Sequence, residues 1–323
     1  MKFNTAVVIG KFYPPHKGHK YLIDTALSQA ENVTVFVCRI KGETIPAEQR
    51  AKWIREIHPT AKRVMVMDST LADDDSEGWA QATIARLGYV PDAVFTSEDY
   101  GDAYARYMGC AHVLVDKLRI AFPISGTKVR ANPLKNLAFL EPCVRAHFIK
   151  RICIVGAEST GKTTLAEDLA KHYRTTWVPE YGRLYWEGKM HVVGAEQWMT
   201  DEFTHIARQQ SELEDMLARA ANEVLICDTD PFATTIWHER YVGTQSKAVE
   251  AIADGRACDL YLLADVTTPF VQDGTRDGEH IRDWMHSRFI EELRAHHKPY
   301  AEISGSREER VQKATALIDP LLV

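Results

Sequence analysis

Short β-branched runs alternate along the chain with segments whose apolar residues recur every three to four positions. In the first half the runs are Ala6–Ile9, Val33–Cys38, Arg63–Met67, Ala93–Thr96 and His112–Val115. Between the first two, Tyr21, Leu22, Ala26, Leu27 and Ala30 fall at helical spacing. A new cycle opens at Arg151–Val155, with further strand candidates at Thr176–Val178, Val224–Cys227 and Leu260–Leu263, and residues 195–221 read as one helix. Such alternation predicts βαβ units and parallel sheets, an α/β fold. The division is expected near residues 147–150, after the helix-like Leu134–Phe148, giving domains 1–148 and 149–323. No Pro/Gly-rich linker marks it, so close packing of the two is expected. There is no internal repeat and no low-complexity tract.

Length and composition fit two globular domains. The chain has 323 residues, 45% hydrophobic and 26% charged, enough for two ordinary cores. Its net charge of -6, from 45 acidic and 39 basic residues, argues against a general nucleic-acid binder. The six cysteines include no C-x-x-C pair, and Cys38, Cys153 and Cys227 lie in apolar runs where buried free thiols are expected. A reduced, cytoplasmic setting fits. Lys2 is followed at once by a short strand and a polar loop, which does not read as a signal peptide. The longest apolar runs are too short to cross a bilayer.

Two stretches carry candidate chemistry. The first is GKFYPPHKGH, Gly10–His19, which follows the first strand and opens a helix near Lys17–His19. Free N–H groups and a partial positive charge at a helix start suit phosphate, and His16 and His19 flank that end. Lys11 adds charge beside Gly10 and Phe12. A partner stretch, ISGTKVR (Ile124–Arg130), places Ser125 and Thr127 at a second helix start and Arg130 where a guanidinium can reach phosphates.

The second stretch, Gly156–Thr163, matches G-x-x-x-x-G-K-[ST] between a strand and a helix. Its amides, with those of Ser159, Thr160, Gly161 and Thr164, are expected to cradle phosphates. Lys162 would reach the β/γ-phosphates and Thr163 would bind Mg²⁺. Asp228 ends an apolar strand, as a metal-binding carboxylate would, and Glu180 follows another. The two are rival candidates for general base. Asp273–Arg282 reads as a mobile lid whose Arg276 and Arg282 close on the transferred phosphate.

His16–His19 and Ile124–Arg130 resemble the two signatures of the nucleotidyltransferase superfamily, (H/T)-x-G-H and I-S-x-T-x-x-R. That resemblance implies that His16 and His19 contact ATP phosphates, that Ser125, Thr127 and Arg130 hold the β/γ end, and that pyrophosphate leaves after in-line attack. With a P-loop kinase second in order, the whole chain resembles the NadR-type bifunctional family. That family joins a nicotinamide-mononucleotide adenylyltransferase to a ribosylnicotinamide kinase. PAEQRAKWIREI (46–57), DDDSEGWA (73–80), TSEDYG (96–101), PEYGR (179–183) and DTD (228–230) support the match.

This resemblance implies that ATP, Mg²⁺, nicotinamide riboside and the mononucleotide are bound and that NAD is the product. It places Trp79, beside Asp73, against the nicotinamide, and Tyr181, Arg183 and Asp230 near the riboside. Trp53 is the other candidate face, but its helical spacing with Ile57 favours core. Tyr185 and Trp186 offer further aromatic surface near Glu180. Some members carry an N-terminal DNA-binding helix-turn-helix. Here Met1 leads straight into the first strand, so DNA binding is not expected. Homo-oligomerisation is left open. The alternatives are a bifunctional coenzyme A synthase, which also joins H-x-G-H to a P-loop, and a nucleotide-sensing regulator with weak turnover.

Overall fold

The computed structural model describes residues 2–39, 41–68, 71–274 and 276–323. The chain divides into two compact units, Met1–His147 and Phe148–Val323. Each is built on one parallel sheet.

In the first unit the strands are β1 (Phe3–Gly10), β2 (Ala30–Arg39), β3 (Arg63–Asp68), β4 (Ala93–Thr96) and β5 (Ala111–Leu114), in the order β3-β2-β1-β4-β5. All four pairings are parallel. The central run shows why. Ala6 and Val8 point into a core with Leu22, Ile23, Val35 and Ile54, while Val7 and Ile9 point to the other face, against Phe36, Met67, Val94 and Tyr104. A strand covered on both sides must be apolar at every position, so the run is continuous rather than alternating. Helices Lys17–Gln29 and Ala47–Ile57 cover one face, and Ser76–Leu87 and Gly101–Met108 the other. Strand order reverses between β1 and β4. Ligands of open α/β sheets bind at such a reversal, beyond the carboxyl ends of the strands, which here means beyond Gly10 and Thr96.

The second unit repeats the plan with β6 (Lys150–Val155), β7 (Trp177–Val178), β8 (Val224–Asp228), β9 (Leu260–Ala264) and β10 (Tyr300–Ile303), in the order β10-β9-β6-β8-β7. Ile152, Ile154, Leu165, Leu169, Ile226, Leu262 and Ile303 share one core cluster.

Three expectations are corrected. Edge strand β10 is absent from the sequence reading because only Ile303 of its four residues is buried, which leaves no apolar run to detect. Leu134–Phe148 is not one helix but a 3₁₀ turn, Leu134–Phe139, and a helix, Pro142–Phe148, separated by extended Leu140. Pro142 disfavours helical backbone at the residue before it. The helix expected over 195–221 runs from Thr200 to Ala218. It starts where the Glu202 carboxylate reaches back to accept the Met199 N–H at 2.8 Å. The six cysteines are free, with Cys38, Cys143, Cys153 and Cys227 buried. Among the described residues no helix is long and apolar enough to cross a membrane.

Candidate active sites

The first site is a cleft of about 760 Å³ at the strand-order reversal. His16 caps helix Lys17–Gln29, its Nδ1 facing the His19 N–H at 3.4 Å. One helical turn brings the two imidazoles face to face, ring centroids 3.7 Å apart, with the Phe12 edge 5.1 Å from His19. Gly18 leaves room for the His16 ring. A Cβ there would stand 3.1 Å from His16 Cε1. Burial drives the His16 pKa down to about 4 and that of His19 well below its ordinary value, with the nearby Arg119 charge adding to both. The pair is therefore neutral at neutral pH and offers hydrogen bonds rather than charge.

The two signature segments meet. Ser125 caps helix Gly126–Ala131 by accepting the Lys128 N–H at 3.2 Å. Arg130 donates to the Tyr13 carbonyl at 2.6 Å, reaches Thr127 Oγ1 at 3.3 Å, and lies over the Tyr13 ring. Gly10, Lys11, Phe12, His16, His19, Ser125, Thr127 and Arg130 all line the cleft. So do Asp73 and Trp79. Asp73 pairs with Lys11 at 2.7 Å, and the partly buried Trp79 indole donates to the Ala72 carbonyl at 2.9 Å. Trp53 is core, as its spacing indicated. Two residues here escaped the sequence reading. Arg119 lines the cleft. Arg50, fully buried, donates to the carbonyls of Lys11, Cys38 and Ile45 and pairs with Glu43, so it ties the site loop to the carboxyl end of β2. The PAEQR stretch carried Arg50, but without a role.

The second site surrounds the loop Gly156–Thr163, between β6 and helix Lys162–Tyr173. Gly156 starts it at φ 141°, with the Ala264 carbonyl 2.8 Å from where a Cβ would be. Lys162 Nζ donates to the Ala157 carbonyl at 2.8 Å, and Thr160 Oγ1 to the same oxygen at 2.9 Å. Thr163 Oγ1 donates to Asp228 Oδ2 at 2.5 Å. Asp228 Oδ1 is buried and has no hydrogen-bond partner among the described residues. Glu180 begins helix Tyr181–Lys189, but its carboxylate does not cap it. Burial raises the Glu180 pKa to about 6, with Lys162 opposing and Asp228 reinforcing the rise. Burial also raises Asp228, again against Lys162.

A cavity of about 150 Å³ opens beside this loop. Ser159, Thr160, Gly161, Lys162, Thr163, Thr164, Glu180, Arg183 and Arg276 line it, together with Trp186, Trp198, Trp237 and Tyr241. Trp198, Trp237 and Tyr241 were missed. Trp237 and Tyr241 sit one helical turn apart on helix Pro231–Val242, a spacing that could have flagged a shared face. The segment after β9 lies on the phosphate loop. Ser159 Oγ accepts from the Val271 N–H at 2.8 Å and from Arg276 at 3.2 Å, and Arg282 reaches the Ser159 carbonyl at 3.5 Å. Glu158 pairs with Arg240 at 2.8 Å and accepts the Gly278 N–H at 2.8 Å. Arg183 pairs with Asp273 at 3.2 Å. Of the stretch 273–282, Thr275 lies outside the described residues.

Two residues expected near the riboside, Tyr181 and Asp230, have protein partners of their own. The Tyr181 hydroxyl meets His205 Nε2 at 3.2 Å, outside the cavity lining. Asp230 is buried as the cap of helix Pro231–Val242, accepting the Ala233 N–H at 2.9 Å and the Tyr261 hydroxyl at 2.6 Å. Followed by Pro231, it is a buried helix-start residue.

Among the described residues no three His, Cys, Asp or Glu groups converge to hold a metal by themselves. The Thr163–Asp228 pair nevertheless fits a hard cation. The orphaned Asp228 Oδ1 is a ready oxygen ligand, and Mg²⁺ is ordinarily shared with phosphate oxygens and water rather than caged by protein alone.

Residues 7–132 match the cytidylyltransferase-like family and residues 151–310 the AAA domain family. The chain is 32% identical over 296 residues to the trifunctional NAD biosynthesis/regulator protein NadR of Salmonella typhimurium, covering 84% of this chain and 72% of that one. It is 31% identical over 300 residues to the protein of the same name from Escherichia coli, covering 85% and 72%. Two solved structures share the fold. A NadR protein in complex with NR superposes with TM-score 0.80 at 19% identity, over 99% of this chain and 96% of that one. A NadR protein in complex with NAD and AMP-PNP gives 0.77 at 19%, over 98% and 96%.

Proposed function

The chain belongs to the NadR family, and from that premise we propose that it is a bifunctional NAD salvage enzyme. Its second unit phosphorylates nicotinamide riboside with ATP, and its first adenylylates the resulting mononucleotide to NAD. One observation carries the reading. Each unit holds its own phosphate site with aromatic faces beside it, Trp79 in the first and Trp186, Trp198, Trp237 and Tyr241 in the second. A flat, cationic pyridinium ring binds well on such faces.

In the kinase unit the loop amides and Lys162 hold the β/γ-phosphates. Asp228 is engaged by Thr163, and the two would hold Mg²⁺. That ion, when bound, neutralises phosphate charge. Glu180 then takes the proton of the riboside 5′-hydroxyl. With its pKa raised to about 6, it is ionised at neutral pH yet basic enough for the task. Arg276 and Arg282, gathered on Ser159, are placed to stabilise charge on the transferred group.

In the adenylyltransferase unit a phosphate oxygen of the mononucleotide attacks the α-phosphorus of ATP. The bond to the β-phosphate breaks and pyrophosphate leaves with the electron pair. Neutral His16 and His19 donate hydrogen bonds to phosphoryl oxygens, while Ser125, Thr127 and Arg130 hold the β/γ end. Catalysis is then positioning and charge stabilisation, with no covalent enzyme intermediate.

The test is a time course of the purified protein with ATP, Mg²⁺ and nicotinamide riboside, followed by chromatography with mass detection. The mononucleotide should rise first and NAD follow. A mononucleotide that accumulates without NAD would refute the transferase half, and absence of both products would refute the substrate assignment.

A further inference from the structure

An ATP triphosphate brings several negative charges into the first cleft, and the cations there are mostly engaged. Burial disfavours the charged forms of His16 and His19. Lys11 is paired with Asp73 at 2.7 Å, and Arg130 is held by the Tyr13 carbonyl and Thr127. The remaining arginine lining the cleft is Arg119.

Its loop is bent to present it. Asp116, at φ 45°, and Arg119, at φ 54°, both adopt left-handed backbone, which is strained for residues with a side chain. Asp116 holds the bend. Its carbonyl accepts the Arg119 N–H at 2.8 Å, and its Oδ1 accepts the amides of Ile120 and Ala121 at 2.8 and 3.3 Å. The flanking Leu118 and Ile120 are left 79% exposed, and Arg119, with its own side chain 43% exposed, lines the cleft. An arrangement that exposes two large apolar side chains and sets a cation at the cleft between them is not explained by packing. The guanidinium rests on Glu98 at 3.0 Å, a half-exposed pair of the kind that stabilises little. Its charge reaches both signature histidines.

Resting on the adenylyltransferase reading of this cleft, we propose that Arg119 is a further substrate-contacting residue of the transfer. On ATP binding its guanidinium leaves Glu98 for oxygens of the triphosphate, beside His16 and His19. Arginine–phosphate hydrogen bonds are charge-assisted and can be bidentate, so the exchange is favourable. Glu98 is then a holder that keeps the side chain oriented in the free enzyme.

The test uses the full chain carrying Arg119→Ala, Arg119→Lys or Glu98→Gln. Adenylyl transfer is measured with Mg·ATP and the mononucleotide varied in turn, and direct ATP binding is measured by calorimetry in a Lys162→Ala background, which weakens the second ATP site. Arg119→Ala should raise KM and Kd for ATP about tenfold or more and KM for the mononucleotide by less than about threefold. Arg119→Lys should recover part of the loss, which a purely structural role would not predict. Glu98→Gln should tighten ATP binding, because the guanidinium no longer has a carboxylate to leave, and weaker binding in that variant would count against the exchange. Wild-type ATP affinity in Arg119→Ala, or a rise confined to the mononucleotide KM, would overturn the proposal. Should the alanine variant melt early, the lysine variant decides by the same ATP criterion. Failure of the underlying reading looks different, since wild-type protein would then make no NAD from the mononucleotide and ATP.

Discussion

Two carboxylates at the phosphate loop, Asp228 and Glu180, sit in different surroundings. Asp228 receives the Thr163 hydroxyl and keeps one buried oxygen orphaned, whereas Glu180 faces the cavity beside Lys162. The sequence placed both after strands and could not rank them, because ranking needs to know which hydroxyl each one meets. A base with its pKa near 6 must be ionised to work. Riboside phosphorylation is therefore expected to fall as pH drops through about 6 and to be flat above it. Glu180→Gln should lower the rate by about 100-fold or more and abolish that acid limb. The stability effect has the opposite sign. A carboxylate whose folded pKa is raised above its unfolded value binds protons more tightly when folded, so stability falls as pH rises from about 4.5 to about 6. Glu180→Gln should therefore be no less stable than wild type at pH 7. Retained phosphorylation in that variant would move the base elsewhere. Residues such as Arg119, Trp198, Trp237 and Tyr241 were illegible for a related reason. Each belongs to a site only because a distant segment folds onto it. Asp230 shows a further limit, since only the fold reveals that its carboxylate is buried as a helix cap.

At the scale of elements, periodicity located nine of the ten strands, since buried parallel strands are continuously apolar. It missed β10, an edge strand with one buried residue. The loops that build the sites were legible as motifs but not as geometry. The phosphate loop is held from above through its variable positions, Glu158 and Ser159. The Gly10–His19 loop is held from below by Arg50. That buried guanidinium serves three main-chain carbonyls and a carboxylate at once. Removing it takes these donors from three carbonyls and from Glu43, which costs roughly 3–5 kcal/mol. Arg50→Ala should show that loss in denaturant unfolding of the first unit. An unfolding midpoint matching wild type would mean that the loop holds itself.

For the molecule as a whole, the two phosphate sites are carried by separate compact units, each with its own sheet and core. Their order and chemistry were readable because both motifs are contiguous in sequence. The aromatic surroundings that suit a pyridinium were only partly readable, because they are assembled from several helices. The central claim is that two independent active sites work in series through a mononucleotide. It is tested most directly by mixing two variants, His19→Ala and Lys162→Ala, with ATP, Mg²⁺ and nicotinamide riboside. Alone, His19→Ala should make the mononucleotide but NAD at least about 100-fold more slowly, and Lys162→Ala should convert added mononucleotide to NAD but not phosphorylate the riboside. Mixed, they should restore NAD formation from the riboside. Loss of both activities in either single variant, or a mixture that makes mononucleotide but no NAD, would contradict the account.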